Sequence, residues 1–269
     1  MNVLMITGAG ISVGSGIDTY RGADGRYTAM EKELGMPIHQ FLSTKMLKEK
    51  PEVIWKYWLK FALSLTGKAP APAHLAIKAI SEQATDFLEL TQNVDGLSLA
   101  AGLPPENLVE LHGAARKHHC MNCGRHHTLR LEEGMALPPK CFLCDPEDGS
   151  TIRPSVLMFG EHLEVELYNK AMAFAAIADV VIISGTSMQF EYLWSFVGLA
   201  ADNGAMIVYI DPEAEIDQDW IPVSSYSSRT KPLQDRVFCI KDTADNILPM
   251  IASNLDGCMG DLKALFDAS

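Results

Sequence analysis

Short apolar runs separated by amphipathic stretches set the rhythm of this chain. Residues 3–7, 87–90, 107–111, 179–184, 205–210 and 237–240 lack the strict alternation of a half-exposed strand. They read as strands buried on both faces, as in a parallel sheet. Between them the pattern is helical. In 51–67, Ile54, Trp58, Phe61 and Leu65 recur on one stripe, and Pro51 suits a first helical turn. The whole stretch 37–83 reads as a set of helices, 98–103 as a short one and 164–178 as an amphipathic one. Leu193, Phe196, Val197 and Ala200 mark another core-facing helix, and 243–255 a closing helix capped by Thr243. Two prolines and many serines make 218–236 a surface loop. Strands alternating with helices predict an α/β fold, a doubly wound, Rossmann-like parallel sheet.

The polar residues with chemical potential fall at the ends of these strands. Gly8-Ala9-Gly10-Ile11-Ser12 follows the first, Thr91-Gln92-Asn93-Val94-Asp95-Gly96-Leu97 the second, and His112-Gly113 the third. Gly185-Thr186-Ser187 and then Asp211 and Glu213 follow later ones. Open α/β sheets place their ligands at strand carboxyl ends, so these segments suggest one shared site. Gly8, Ala9 and Gly10 would let backbone amides approach a pyrophosphate, and a helix from near Ser12 would add its positive end. The match to GxGxxG is incomplete, because Val13 precedes Gly14. The 91–97 segment also reads as an ordinary turn with Asn93 and Asp95 as caps. An acid at Asp211 can accept both ribose hydroxyls and would repel a 2′-phosphate, favouring NAD.

Six cysteines include two CxxC pairs, Cys120/Cys123 and Cys141/Cys144, with seventeen residues between them. This is zinc-ribbon spacing, and four thiolates leave no open coordination position, so the site is expected to be structural. His118, His119, His126 and His127 crowd the first pair, either as substitute ligands or as exposed ribbon histidines. Cys239 and Cys258 stand alone and read as buried, inert thiols. The net charge of -12 argues against nucleic acid or an anionic membrane as partner. No apolar run is long enough to cross a membrane. Residues 1–7 lack a basic leader, so a cytoplasmic location is expected.

Taken in order, the motifs 8–17, 91–97, 111–113, the paired CxxC, Arg153-Pro154-Ser155-Val156-Leu157-Met158-Phe159-Gly160-Glu161 and 185–187 resemble the sirtuins, NAD-dependent protein-lysine deacylases. The resemblance covers nearly the whole chain. It implies a NAD-binding domain of residues 1–36, 84–114 and 152–269, with a smaller lobe made of a helical insertion, 37–83, and a zinc ribbon, 115–151. NAD and an acyl-lysine protein substrate would meet between them, yielding nicotinamide, free lysine and O-acyl-ADP-ribose.

Carried over residue by residue, the resemblance makes His112 the general base, for which an ordinary imidazole pKa of about 6.5 is suited. Gln92 and Asn93 would hold the ribose and an ordered water, and Asp95 the carboxamide of nicotinamide. Gly8, Ala9, Gly10, Ile17, Tyr20, Arg21, Gly185, Thr186, Ser187, Asp211 and Glu213 would complete the NAD site. Val156 and Phe159 would flank the acyl-lysine, with Gly160 and Glu161 on a segment that holds the peptide by strand addition. Trp58 and Phe61, core residues on the helical stripe, stand where acid-preferring sirtuins carry Tyr and Arg. An apolar pair cannot neutralise a buried carboxylate, so the acyl group is expected to be uncharged. The chain departs from the family at Tyr20, usually phenylalanine, and at Tyr192, where the family pattern has proline. These departures admit mono-ADP-ribosyl transfer or NAD hydrolysis as an alternative. A non-enzymatic binding module would not need Gln92, Asn93, Asp95 and His112 together.

Overall fold

The computed structural model of this 269-residue chain describes residues 1–20, 25–216, 221–222 and 236–260. The expected surface loop 218–236 lies almost wholly outside the described residues, as does Arg21. The strands, in chain order, are β1 (Asn2–Thr7), β2 (Asp86–Thr91), β3 (Leu108–Glu110), β4 (Gly113–Cys120), β5 (His126–His127), β6 (Lys140–Cys141), β7 (Ser150–Val156), β8 (Val180–Ser184), β9 (Met206–Ile210) and β10 (Val237–Ile240). The helices are α1 (Arg26–Leu34), α2 (Ile38–Phe41), α3 (Thr44–Glu49), α4 (Pro51–Ser64) and α5 (Pro72–Gln83). After these come α6 (Leu97–Ala100), α7 (Val165–Ala175), α8 (Glu191–Asp202), α9 (Ala244–Ser253) and α10 (Leu255–Gly260).

Among the described residues, the main sheet has six strands in the order β10-β9-β8-β1-β2-β3. Every pair in it is parallel. The chain moves one way from β1 through β2 to β3, then returns to β8 on the opposite side of β1. That reversal opens a crevice beyond the carboxyl ends of β1 and β8, where doubly wound sheets take ligands. Parallel strands need cover on both faces. Val3 and Met5 face one core with Ala76, Ile77 and Ile80 of α5 and Ile247, Leu248 and Ile251 of α9. Leu4 and Ile6 face the other, with Ala171 of α7 and Phe196, Val197 and Ala200 of α8.

The packing differs from the sequence reading in which helices serve which lobe. Helix α5 lies inside the stretch assigned to the helical insertion, yet it buries Ala73, Ala76, Ile77 and Ile80 against β1. Helix α1, assigned to the NAD-binding part, sends Met30 into the helical lobe with Ile38, Phe41, Leu47 and Ile54. An apolar stripe records that a helix is covered on one face, not by what.

Local differences have similar causes. The helix expected from near Ser12 is a 3₁₀ helix, Ala9–Ser15, closed by Gly16 in the left-handed region at φ 70°. The helix expected at 98–103 is the four-residue α6. Thr243 is the N-cap of α9 but makes no side-chain cap bond. Asp242 Oδ1 serves that end instead, accepting from Thr243 N and Asn246 Nδ2.

The small lobe grows directly out of the sheet. After β3, Leu111 and His112 lead through Gly113, at φ 81°, into β4. A Cβ at Gly113 would lie 2.0 Å from the Ser155 carbonyl oxygen, so this crossing needs glycine. Strand β4 pairs antiparallel with β5 and β7. Trp55 of α4 fastens the ribbon to the helices: its Nε1 donates to Ile152 O at 2.6 Å and its ring stacks on His118. Among the described residues no helix is long and apolar enough to cross a membrane.

Candidate active site

The glycines after β1 and β8 bring two loops into backbone contact. A Cβ on Gly10 would sit 2.5 Å from Gly185 Cα, and one on Gly8 would sit 2.7 Å from Gly185 O. Gly8 N donates to Ser184 O and Gly10 N to Gly185 O at 2.8 Å. Those two amides, expected to face a pyrophosphate, are therefore spent on joining the loops. Tyr209 Oη donates to Thr186 O at 2.7 Å, which ties the end of β9, and with it Asp211, to the same crevice. Asp211 Oδ1 accepts from Glu213 N, and burial with the nearby Glu213 charge raises the Asp211 pKa.

The polar segment after β2 closes on these loops. Asn93 Nδ2 donates to Gly8 O at 3.0 Å and to Ser12 Oγ at 3.2 Å. Ser12 Oγ donates to Asp95 Oδ2 at 2.8 Å, and Asp95 Oδ1 accepts from Leu97 N. Gln92 Nε2 donates to Thr186 Oγ1 at 2.8 Å. His74, absent from the sequence candidates, completes the group with Nε2 3.4 Å from Ser12 Oγ and Nδ1 accepting from Ala71 N. Serine, histidine and aspartate thus meet, but not as a nucleophilic triad. The aspartate bonds the serine rather than the histidine, so no carboxylate orients the imidazole as a base.

Asn93 Oδ1 is buried without a hydrogen-bond partner among the described residues. A buried orphan acceptor is costly, so the site is built for a donor that the chain lacks, such as a hydroxyl or a water. Asp95 has used one lone pair on each oxygen and keeps acceptor capacity for an amide N–H. These acceptors fit the hydroxyls of a ribose and the carboxamide N–H of NAD.

His112, between β3 and β4, is anchored through its carbonyl by Leu157 N at 3.0 Å. Its Nδ1 lies 3.1 Å from Gln92 O and its Nε2 2.6 Å from Tyr192 Oη. Phe190 stands edge-on to the ring at 5.4 Å. Burial pushes the His112 pKa down to about 4, so the imidazole is neutral at pH 7. Tyr20 is half-buried against Tyr27, with ring centroids 5.0 Å apart. Ile17 is buried nearby in sequence, and Ser187 is exposed.

On the small-lobe side, Trp58 and Phe61 pack together at 5.3 Å in one cluster with Val94 and Val156. Phe159 lies in the neighbouring helical cluster, which Val156 also joins. Two features here were invisible in the sequence. Trp58 Nε1 is buried with no partner among the described residues. The Arg26 guanidinium lies 5.1 Å from the Phe61 ring centroid, with Asp18 at 3.9 Å balancing its charge. Glu161 turns back onto its own segment: both its oxygens pair with Arg153, and Oε2 also accepts from Met158 N. The amides of Leu157 and Phe159 donate to His112 O and Leu42 O, so these positions are paired within the chain. Gly160 follows at φ 91°.

Cys120, Cys123, Cys141 and Cys144 converge, their Sγ atoms all within 4.8 Å of one another. The Cys120–Cys144 and Cys141–Cys144 separations are 3.6 and 3.9 Å. A tetrahedral ion with bonds of about 2.3 Å needs sulfur–sulfur edges of about 3.8 Å, so the four cysteines fit zinc. The ribbon histidines are not in this group. His118 is not exposed either: it is 2% accessible beneath Trp55.

The Sir2 family profile matches residues 8–191. NAD-dependent protein deacylase 2 of Pseudomonas syringae pv. tomato is 38% identical over 214 residues, covering 78% of this chain and 84% of its own. The NAD-dependent protein deacylase of Aquifex aeolicus is 35% identical over 218 residues, covering 79% of this chain and 84% of its own. A solved complex of a Sir2 homologue with NAD superposes with a TM-score of 0.76 at 25% identity, covering 96% of this chain and 90% of that one.

Proposed function

The chain belongs to the Sir2 family, and from that premise we propose that it is an NAD-dependent protein deacylase acting on lysine bearing an uncharged acyl group. Two observations carry the reading together: a neutral His112, and an Asn93 Oδ1 that is buried without a partner among the described residues. A neutral imidazole has the capacity to take a proton, and the amide oxygen awaits a hydroxyl or water.

When bound, NAD supplies an electrophilic ribose carbon, with nicotinamide as leaving group, and carries the acyl group away as O-acyl-ADP-ribose. The chain's residues do the rest. Asn93 orients a hydroxyl or water at Oδ1, Asp95 accepts from a carboxamide N–H, and Gln92 braces the 185–187 loop through Thr186. Asp211 receives the adenosine ribose hydroxyls. His112 holds the abstracted proton at Nε2. Its Nδ1 bond to the Gln92 carbonyl favours the protonated ring and so offsets part of the cost of charging it in a buried place. Trp58, Phe61 and Val156 wall the acyl group, and Trp58 Nε1 is a donor for a carbonyl oxygen there. The four-cysteine zinc site has no open position and serves the ribbon's fold.

Product analysis tests this. The protein is incubated with NAD and an acetyl-lysine peptide, beside His112→Ala. Nicotinamide, deacetylated peptide and O-acetyl-ADP-ribose are expected from the wild type, with deacetylation lost in the variant. Free ADP-ribose with an untouched peptide would instead assign NAD hydrolysis, and ADP-ribosylated protein would assign transfer.

A further inference from the structure

The proposed base does not face the cleft with a bare nitrogen. His112 Nδ1 lies 3.1 Å from Gln92 O, a carbonyl that can only accept, so Nδ1 carries the ring proton and Nε2 presents its lone pair. The Tyr192 hydroxyl, 2.6 Å from Nε2, therefore donates to it. A single lone pair takes one strong donor, so a substrate hydroxyl cannot also bind Nε2 while the phenol is there.

The phenol is also held in place. Its ring stacks on Phe190 at 5.6 Å and 19° and meets Phe196 edge-on at 6.1 Å. Tyr192 sits in the first turn of α8, beside the fully buried Leu193, and Trp194 Nε1 donates to Met188 O at 2.8 Å to close the preceding loop. Tyr192 also lines an apolar cavity of about 280 Å³ with His162, Leu163, Val165 and Tyr168. Tyr192 thus touches the base and borders this cavity.

We propose that Tyr192 relays the proton to His112. A substrate hydroxyl gives its proton to the Tyr192 oxygen as Tyr192 gives its own proton to Nε2. One O–H bond breaks on the substrate, the phenol's O–H breaks and re-forms, and an N–H bond forms at Nε2. Negative charge is left on the substrate oxygen, positive charge on the imidazolium, and Tyr192 is unchanged. The relay never needs a phenolate, which burial of Tyr192 disfavours. It rests on His112 being the base of the deacylase reading.

The test is Tyr192→Phe, which keeps the ring and its stacking and removes only the hydroxyl. By NMR, with no substrate present, the His112 imidazole is expected to titrate at higher pH in the variant, because a donor to its neutral form is gone. With NAD and acyl peptide, kcat for deacylation is expected to fall at least tenfold with KM for NAD within twofold. Nicotinamide release, which precedes the proton step, is expected to persist. Deacylation at or above the wild-type rate overturns the relay, as does equal loss of both reactions. Should the wild type consume NAD without deacylating a peptide, the deacylase reading fails by itself. The relay is then decided by the NMR titration, and an unchanged His112 curve overturns it.

Discussion

Thr7 Oγ1 donates a 2.7 Å hydrogen bond to Glu89 Oε1 between the neighbouring strands β1 and β2, where both residues are fully buried. Burial raises the Glu89 pKa to about 7, against the opposing pull of the Thr7 and Ser98 hydroxyls. The native state therefore holds a proton on Glu89 that the unfolded chain releases above about pH 4.5. Its contribution to stability is present below pH 4.5 and is lost as pH rises through 7. Glu89→Gln, which keeps an acceptor for Thr7, removes this dependence. The stability difference between variant and wild type is expected to move in the variant's favour by about 3 kcal/mol from pH 4.5 to 8. Urea unfolding at both pH values measures it, and parallel pH curves for the two proteins would contradict it.

His112 has the opposite sign. Its pKa is lowered to about 4, so between about pH 4 and the ordinary 6.5 the unfolded chain takes a proton that the native state refuses. The stability it lends is complete above 6.5 and declines as pH falls through that window. The acid limb of kcat/KM in the free enzyme is expected well below 6.5, and a limb at or above 6.5 would contradict a buried, neutral base. His112→Ala should lower deacylation about 100-fold or more.

Removing zinc should unravel the ribbon. Binding at such a site contributes about 10–16 kcal/mol of folding free energy in isolated zinc modules. One zinc per chain is expected by elemental analysis, absent in Cys120→Ser. Chelation should lower the melting temperature, and because β4 leads directly from His112, it should abolish activity as well. Metal-free protein with full activity would refute this coupling.

The proposed acyl pocket should prefer uncharged groups. Trp58 and Phe61 offer no charge, and the Arg26 cation over Phe61 is already matched by Asp18. An acetylated peptide is expected to turn over at least tenfold faster than its succinylated twin. The reverse order would show that Arg26 is available to a carboxylate.

Gly10→Ala should cost several kcal/mol, because its Cβ would lie 2.5 Å from Gly185 Cα, a backbone atom that cannot rotate away. A lower melting temperature and a weaker NAD affinity are expected together, since one contact shapes both the core and the crevice.

Much of this architecture can be read from residues near one another in the chain. Unbroken apolar runs specify buried parallel strands because only a sheet covered on both faces accepts them. Paired CxxC spacing specifies a tetrahedral thiolate site because four ligands on two turns close that shell. Strand-end polar motifs specify the crevice because doubly wound sheets place carboxyl ends there.

Contacts between distant residues were decided only by tertiary structure. Helix α5 carries a stripe that suits either lobe, and only packing sent it to β1. Glu89 interrupts its apolar run visibly, but its burial depends on helices that cover the strand. Tyr192 is eighty residues from His112, and no spacing rule links them. Glu161 matches a substrate-facing motif yet pairs with Arg153, because a carboxylate near a guanidinium in a partly buried place is held there by charge and geometry together. Local pattern determines which elements form and which face each one buries. Which side chains then meet, and hence which protons are held and where, depends on long-range packing that no short stretch of sequence encodes.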